Sequence, residues 1–183
     1  DIYRGEHRGT DAGAKYAAYV EEACQYYKER GERVGAFIIE GGMSVAGVIL
    51  PPQEYLEKSV AAVRAAGGVY IADEVQTGFG RLGSSYWAFE YGGRRVVPDI
   101  VTVGKPFGNG MPLAAVITNP NVAEAFENMK IEYFATFAGN PVSAAAGLAV
   151  MDVIEEECLQ QHALKVGTYM LERFRDLQSR LDL

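Results

Sequence analysis

The chain has 183 residues, 49% hydrophobic and 22% charged, a balance that suits one soluble globular domain with a sizeable core. A net charge of −7, a pI near 4.9 and no Lys/Arg cluster beyond Arg94-Arg95 argue against nucleic acid as a partner. Two distant cysteines, Cys24 and Cys158, and two histidines, His7 and His162, have no metal-ligand spacing, and no stretch reaches the ~18 uncharged apolar residues of a membrane helix. No metal, no membrane contact and reduced thiols in an intracellular protein are therefore expected, with cytoplasm and mitochondrion both open. The chain starts without methionine at Asp1 and stops at Leu183 inside a helical pattern, so both ends read as cuts.

Asp1 to Gly9 reads as polar loop. Thr10 or Asp11 can cap a helix that carries Ala17, Val20, Cys24 and Tyr27 on one face until Gly31 closes it. Val34 to Ile39 is a continuous apolar run ending at Glu40, the pattern of a parallel strand covered on both faces. Pro51-Pro52 opens a helix whose buried face is Leu56, Val60 and Val63, and Gly67 ends it. Val69 to Ala72 then runs into Asp73. A right-handed crossover places the two runs in one parallel sheet with their carboxyl ends on the same side, where open α/β sheets bind ligands. Gly83 to Val97 reads as a crossover with one helical turn and core aromatics at Trp87, Phe89 and Tyr91.

Ile100 to Val103 is a third strand, delivering Gly104 and Lys105 to the same edge, and Pro106, Gly108 and Gly110 prevent a helix from continuing. Leu113 to Thr118 is a fourth. Asn119-Pro120 caps a helix through Phe126, and Asn140-Pro141 repeats the device for a helix to about Glu156. The positive end of that second helix faces the Tyr133–Gly139 loop and suits a phosphate. Leu159, Ala163, Val166, Met170, Phe174, Leu177 and Leu181 form a helical stripe that needs a partner surface. There is no internal repeat, low-complexity segment or linker.

An acid and a lysine at the ends of neighbouring strands suit pyridoxal phosphate chemistry, in which a lysine amine forms a Schiff base and a carboxylate keeps the pyridine nitrogen protonated. The pair alone is weak, because strand-end carboxylates and solvated lysines are common, and the same reasoning leaves Glu40 as an acid in water. Asp73-Glu74 after an apolar strand also fits a Walker B pair. That needs a phosphate loop, and the one Gly-Lys pair, Gly104-Lys105, is followed by Pro106. A catalytically inactive α/β module that binds phosphate or a nucleotide stays open.

Three segments in order, DEVQTGFGR (73–81), PDIVTVGKP (98–106) and TFAGNP (136–141), resemble the class III aminotransferases, a branch of the fold-type I pyridoxal phosphate enzymes. The resemblance covers nearly the whole chain. It implies an α/β fold of three layers, α/β/α, with a mostly parallel sheet. It also implies that residues 1–183 are part of the cofactor-binding large domain, with the N-terminal phosphate-binding segment and the C-terminal small domain outside them. Residues 158–183 would lead toward that small domain. Lys105 is then the Schiff-base lysine, Asp73 faces the ring nitrogen, Val75 packs on the ring and Gln76 lies by its phenolic oxygen. Thr136 would reach the cofactor phosphate of a neighbouring subunit, which implies a homodimer. Glu40 corresponds to a substrate-gating glutamate, although glycine follows it here where proline is usual, and Ala138 stands where glycine is usual.

The implied reaction is transfer of an amino group from a small-molecule primary amine or amino acid to a keto acid. VGKPFGNGMP (103–112) and YFATFAGNPVSAAAGLAVMDVIE (133–155) are most similar to the branch that includes phospholyases of phosphoethanolamine and phosphohydroxylysine, so elimination of phosphate and ammonia is the alternative.

Overall fold

A computed structural model of the chain describes residues 5–181, so the first four residues of the predicted N-terminal loop lie outside the described residues. Four strands form one sheet in the order β1 (Ala36–Glu40), β2 (Val69–Asp73), β3 (Ile100–Val103) and β4 (Ala115–Thr118). The first three are parallel and β4 is antiparallel to β3. The reversal has a simple cause. Eleven residues (104–114) with a single 3₁₀ turn and no α-helix lie between β3 and β4, and a parallel return would need a crossover of a dozen or more residues, usually containing a helix.

Helix α1 (Ala12–Glu29) begins where Asp11 accepts a hydrogen bond from the Ala14 amide at 3.3 Å. Its inner face buries Ala17 and Cys24, with Val20 half-buried, but Tyr27 at the end of the predicted stripe is exposed. Helix α2 (Tyr55–Ala65) starts three residues after the prolines predicted to open it: Pro51 is driven out of the α region by Pro52, and the N-cap Glu54, at φ +67°, stops the helix from reaching back to Pro52. The predicted inner face of Leu56, Val60 and Val63 is buried as expected.

Side chains alternate across the sheet, and the alternation decides what the site looks like. Tyr70 and Ala72 of β2, with Phe37 and Ile39 of β1, point toward α2 and form the core with Leu56 and Val60. Ile38, Ile71 and Asp73 belong to the opposite set. Among the described residues no helix closes that face over β1, and Ile38 is 59% exposed, so the two-sided cover expected for this strand is absent. Asp99 pins the start of β3, accepting from the Arg64 guanidinium at 3.0 Å and the Tyr70 amide at 2.9 Å.

The chain continues through α3 (Pro120–Asn128), α4 (Pro141–Glu156) and α5 (Leu159–Leu181). Asn119 and Asn140 cap the first two, accepting from Val122 in one case and from Val142 and Ser143 in the other. Cys158, at φ +51°, separates α4 from α5. No described residue of α5 is buried. No helix among the described residues is long and apolar enough to cross a membrane.

Candidate active site

Parallel register brings the ends of three strands level. Glu40 pairs with Asp73 and Asp73 with Thr102, so three polar side chains stand side by side at the carboxyl edge of the sheet. Lys105 follows three residues after Thr102. All three edge residues belong to the face that α2 does not cover.

Asp73 is half-buried and its two oxygens are in different situations. Oδ1 accepts from the Val75 amide at 3.1 Å and from Thr102 Oγ1 at 3.2 Å, whereas no described residue donates to Oδ2. The carboxylate is thus fixed in orientation with one oxygen open. Thr102 was not singled out from the sequence, although its place opposite Asp73 on the next strand is the signal that could have found it.

Glu74, the next residue, points the other way and is fully buried. Its carboxylate accepts from Thr77 Oγ1 at 2.9 Å, the Ala88 amide at 3.0 Å and the Phe89 amide at 2.9 Å. Burial pushes its pKa above the usual carboxylate range, against the pull of those hydrogen bonds. The Ala88–Phe89 peptide that it holds lies against Gly41, where an added Cβ would come within 2.5 Å of Ala88 C. Glu74 therefore supports the turn that follows Glu40. A fully buried acid and a half-buried one beside it cannot be told apart in sequence until strand register assigns the faces.

Lys105 opens a single 3₁₀ turn, Lys105–Phe107, closed by the Phe107 amide on Gly104 O at 2.7 Å. Its side chain is exposed, at a turn that follows the end of β3. Nζ donates to Gln76 Oε1 at 2.6 Å. Val75 lies against the Gly104 backbone, its Cγ1 3.4 Å from where a Cβ would stand, with Ala114 Cβ 3.9 Å from the same point. Asp73, Val75, Gln76 and Lys105 are thus gathered at one spot, which presents an open carboxylate oxygen, an apolar patch, an amide and an amine.

The other two predicted residues make no hydrogen bond to that group among the described residues. Glu40 Oε2 accepts from the Ser44 amide at 3.1 Å, closing its own turn. Thr136 is exposed and lines a cavity of about 480 Å³ with Pro112–Ala114 and the first turn of α4. Larger clefts, of about 550 and 590 Å³, flank α1 and include neither Lys105 nor Asp73. Among the described residues no group of three or more His, Cys, Asp or Glu side chains could hold a metal ion.

A profile of the family described as aminotransferase class-III matches residues 3–182. Among curated proteins, an alanine–glyoxylate aminotransferase 2-like protein of Drosophila melanogaster is 51% identical over all of this chain and 37% of its own length. An ethanolamine-phosphate phospho-lyase homolog of Caenorhabditis elegans is 39% identical over 98% of this chain and 41% of its own. Among solved structures, a phospholyase from Arthrobacter in complex with phosphoethanolamine superposes with a TM-score of 0.84 at 38% identity, over 96% of this chain and 42% of the other. The chain therefore spans about two fifths of the length of these relatives. With the match extending over almost every residue, and with Asp73, Gln76 and Lys105 meeting at the carboxyl edge of a mixed α/β sheet, this chain belongs to the class-III aminotransferase family.

Proposed function

We propose that the protein is a pyridoxal-phosphate-dependent aminotransferase, with Lys105 as the lysine that carries the cofactor. The observation that carries this reading is the Lys105 Nζ to Gln76 Oε1 hydrogen bond of 2.6 Å beside a carboxylate with one open oxygen. The donor set fits the group: a planar cationic ring needs an acid at its nitrogen, an apolar face and a partner for its phenolic oxygen. Bound there, pyridoxal phosphate supplies an aldehyde for reversible attachment of amines and a ring that accepts electrons.

The roles of the chain's own residues follow from their placement. Asp73, with Oδ1 fixed by Val75 and Thr102, would hold the proton on the ring nitrogen of the bound cofactor. Val75 covers one face of the ring, and the Gln76 amide orients the phenolic oxygen. Lys105 would be the amine that holds the cofactor's aldehyde and, once free, the base that takes a proton from the substrate carbon. Glu40 gates the substrate from the neighbouring strand end. Thr136 serves the phosphate of a second subunit, which makes the working unit a homodimer. Residues 1–183 are part of the large domain, and 158–183 lead toward a C-terminal domain.

The test is borohydride reduction of the cofactor-loaded full-length protein, followed by peptide mapping. Label on Lys105 is expected, and label on Lys15, Lys28, Lys58, Lys130 or Lys165 would overturn the assignment. A second reading, elimination of phosphate and ammonia from a phosphorylated amine, is favoured by the likeness to the Arthrobacter phospholyase. Both reactions begin with loss of the same proton and differ in what leaves next. Full-length protein given phosphoethanolamine and no keto acid would release phosphate and ammonia together if it is a lyase. No release, with amino transfer to pyruvate from an ordinary amine donor, decides for the aminotransferase.

A further inference from the structure

We propose that Phe79 is a positioning residue for Lys105, acting through the ring of Phe107; the proposal rests on Lys105 being the lysine that carries the cofactor. Lys105 is exposed, and the hydrogen bond to Gln76 is the only one its side chain makes among the described residues. What fixes its backbone is the 3₁₀ turn it opens, and that turn is anchored by Phe107. The Phe107 ring stacks on Phe79 with centroids 5.1 Å apart and planes at 15°. On another side it meets α4 at Gly147, where an added Cβ would stand 3.3 Å from Phe107 Cε2.

Phe79 is itself held in an unfavourable conformation. It is buried and has φ +62°, a region that disfavours residues bearing a Cβ and persists where the surroundings over-determine it. Those surroundings can be named. Trp87 meets the ring edge-on at 5.4 Å, and the Gly80 amide donates to Tyr86 O at 2.9 Å. Gly80 and Gly83 lie so close to α5 that added Cβ atoms would come within 2.9 Å of Gln160 and 2.5 Å of Leu164. Gln160 Nε2 also donates to Gly83 O at 3.1 Å. A strained aromatic, stacked on the lysine's own turn and followed directly by a glycine turn seated on α5, sets where Lys105 leaves the backbone, and those glycines permit the approach.

The experiment uses full-length protein with Phe79→Leu, Phe107→Leu and the double variant, each checked for fold by circular dichroism and thermal unfolding. In the cofactor-free state, acetic anhydride labelling and peptide mapping give the reactivity of Lys105 relative to Lys58 within one sample. In the loaded state, the pH midpoint of the visible absorption band is read. Each single variant should change the Lys105:Lys58 ratio by about threefold or more, at the low end of coupling between packed neighbours, and the double variant should add nothing further. The pH midpoint should move with the ratio. An unmoved ratio and midpoint in folded Phe79→Leu protein would overturn the proposal, as would additive effects of the two substitutions. Phe107→Leu removes the same stack without touching the strained residue, so one unfolded variant does not block the test. Loss of fold in both would refute a lysine-specific role and make the pair ordinary core. Borohydride label on another lysine would instead defeat the parent reading, whereas label on Lys105 with unmoved readouts defeats this one alone.

Discussion

Replacing Glu74 by alanine removes a fully buried carboxylate that accepts from Thr77 Oγ1, Ala88 N and Phe89 N at 2.9, 3.0 and 2.9 Å. Each buried donor left without a partner costs about 1–3 kcal/mol; water entering the space recovers part of this, so a loss of about 3–5 kcal/mol in unfolding free energy is expected. Glu74→Gln keeps the shape and one oxygen. That oxygen can serve Thr77 and Ala88 while the new amide nitrogen confronts the Phe89 N–H, for a loss of about 1–3 kcal/mol. The two variants also differ from wild type in pH dependence. Burial raises the Glu74 pKa above that of an unfolded glutamate, so the folded state binds this proton more tightly. The resulting contribution to stability is complete below the unfolded pKa and is lost as pH rises through the folded one. Urea unfolding of the cofactor-free full-length protein across that acid range measures both effects. An alanine variant within ~0.5 kcal/mol of wild type, or a glutamine variant whose stability tracks pH as wild type does, would refute the reasoning.

Asp73→Asn keeps the hydrogen bonds to Oδ1 but not the charge, so cofactor should still bind while turnover falls by about 100-fold, roughly 2.7 kcal/mol on the barrier; a loss of only about twofold would be too small for the role. The Tyr70 hydroxyl is buried without a hydrogen-bond partner among the described residues, and Tyr70→Phe should stabilise the protein by about 1 kcal/mol in denaturant unfolding. Burial also raises the Tyr70 pKa, so wild-type stability from this group is present below the unfolded phenol value near 10 and is lost above it; the phenylalanine variant should lose less in alkali, and an equal loss in both would count against the assignment. Thr136→Ala should weaken cofactor retention in a dimer, measured by dialysis and absorbance, and an active monomer at assay concentration would exclude the cross-subunit contact.

Much of this architecture was legible in the sequence because each element carries a local signal. Asn119-Pro120 and Asn140-Pro141 announce helix starts, and α3 and α4 begin at those prolines. Leu56, Val60 and Val63 recur at spacings of four and three, and they form the buried face of α2. The same local logic failed at Pro51-Pro52, where the second proline bars the first from the α region and the left-handed Glu54 holds the helix start at Tyr55. Asp73 and Lys105 were identifiable as strand-end groups because apolar runs lead straight into them. Phe79 goes unmarked within the DEVQTGFGR segment and Glu74 reads as half of an acid pair, since neither strain nor burial is visible in a string of residues.

The order and type of the elements, and the arrival of an acid and a lysine at one edge of a sheet, were determined by the sequence alone, because they depend on periodicity and breakers within a dozen residues. Tertiary structure decided which face each side chain occupies. Asp73 stands on the open face and Glu74 on the covered one only because β2 is registered between β1 and β3 with Tyr70 and Ala72 turned toward α2. Contacts between residues far apart in sequence then set the rest: Lys105 on Gln76, Phe107 on Phe79, and the Gly80–Gly83 turn on α5. Such contacts depend on how whole elements pack, and that information is distributed over the chain rather than written at any one residue.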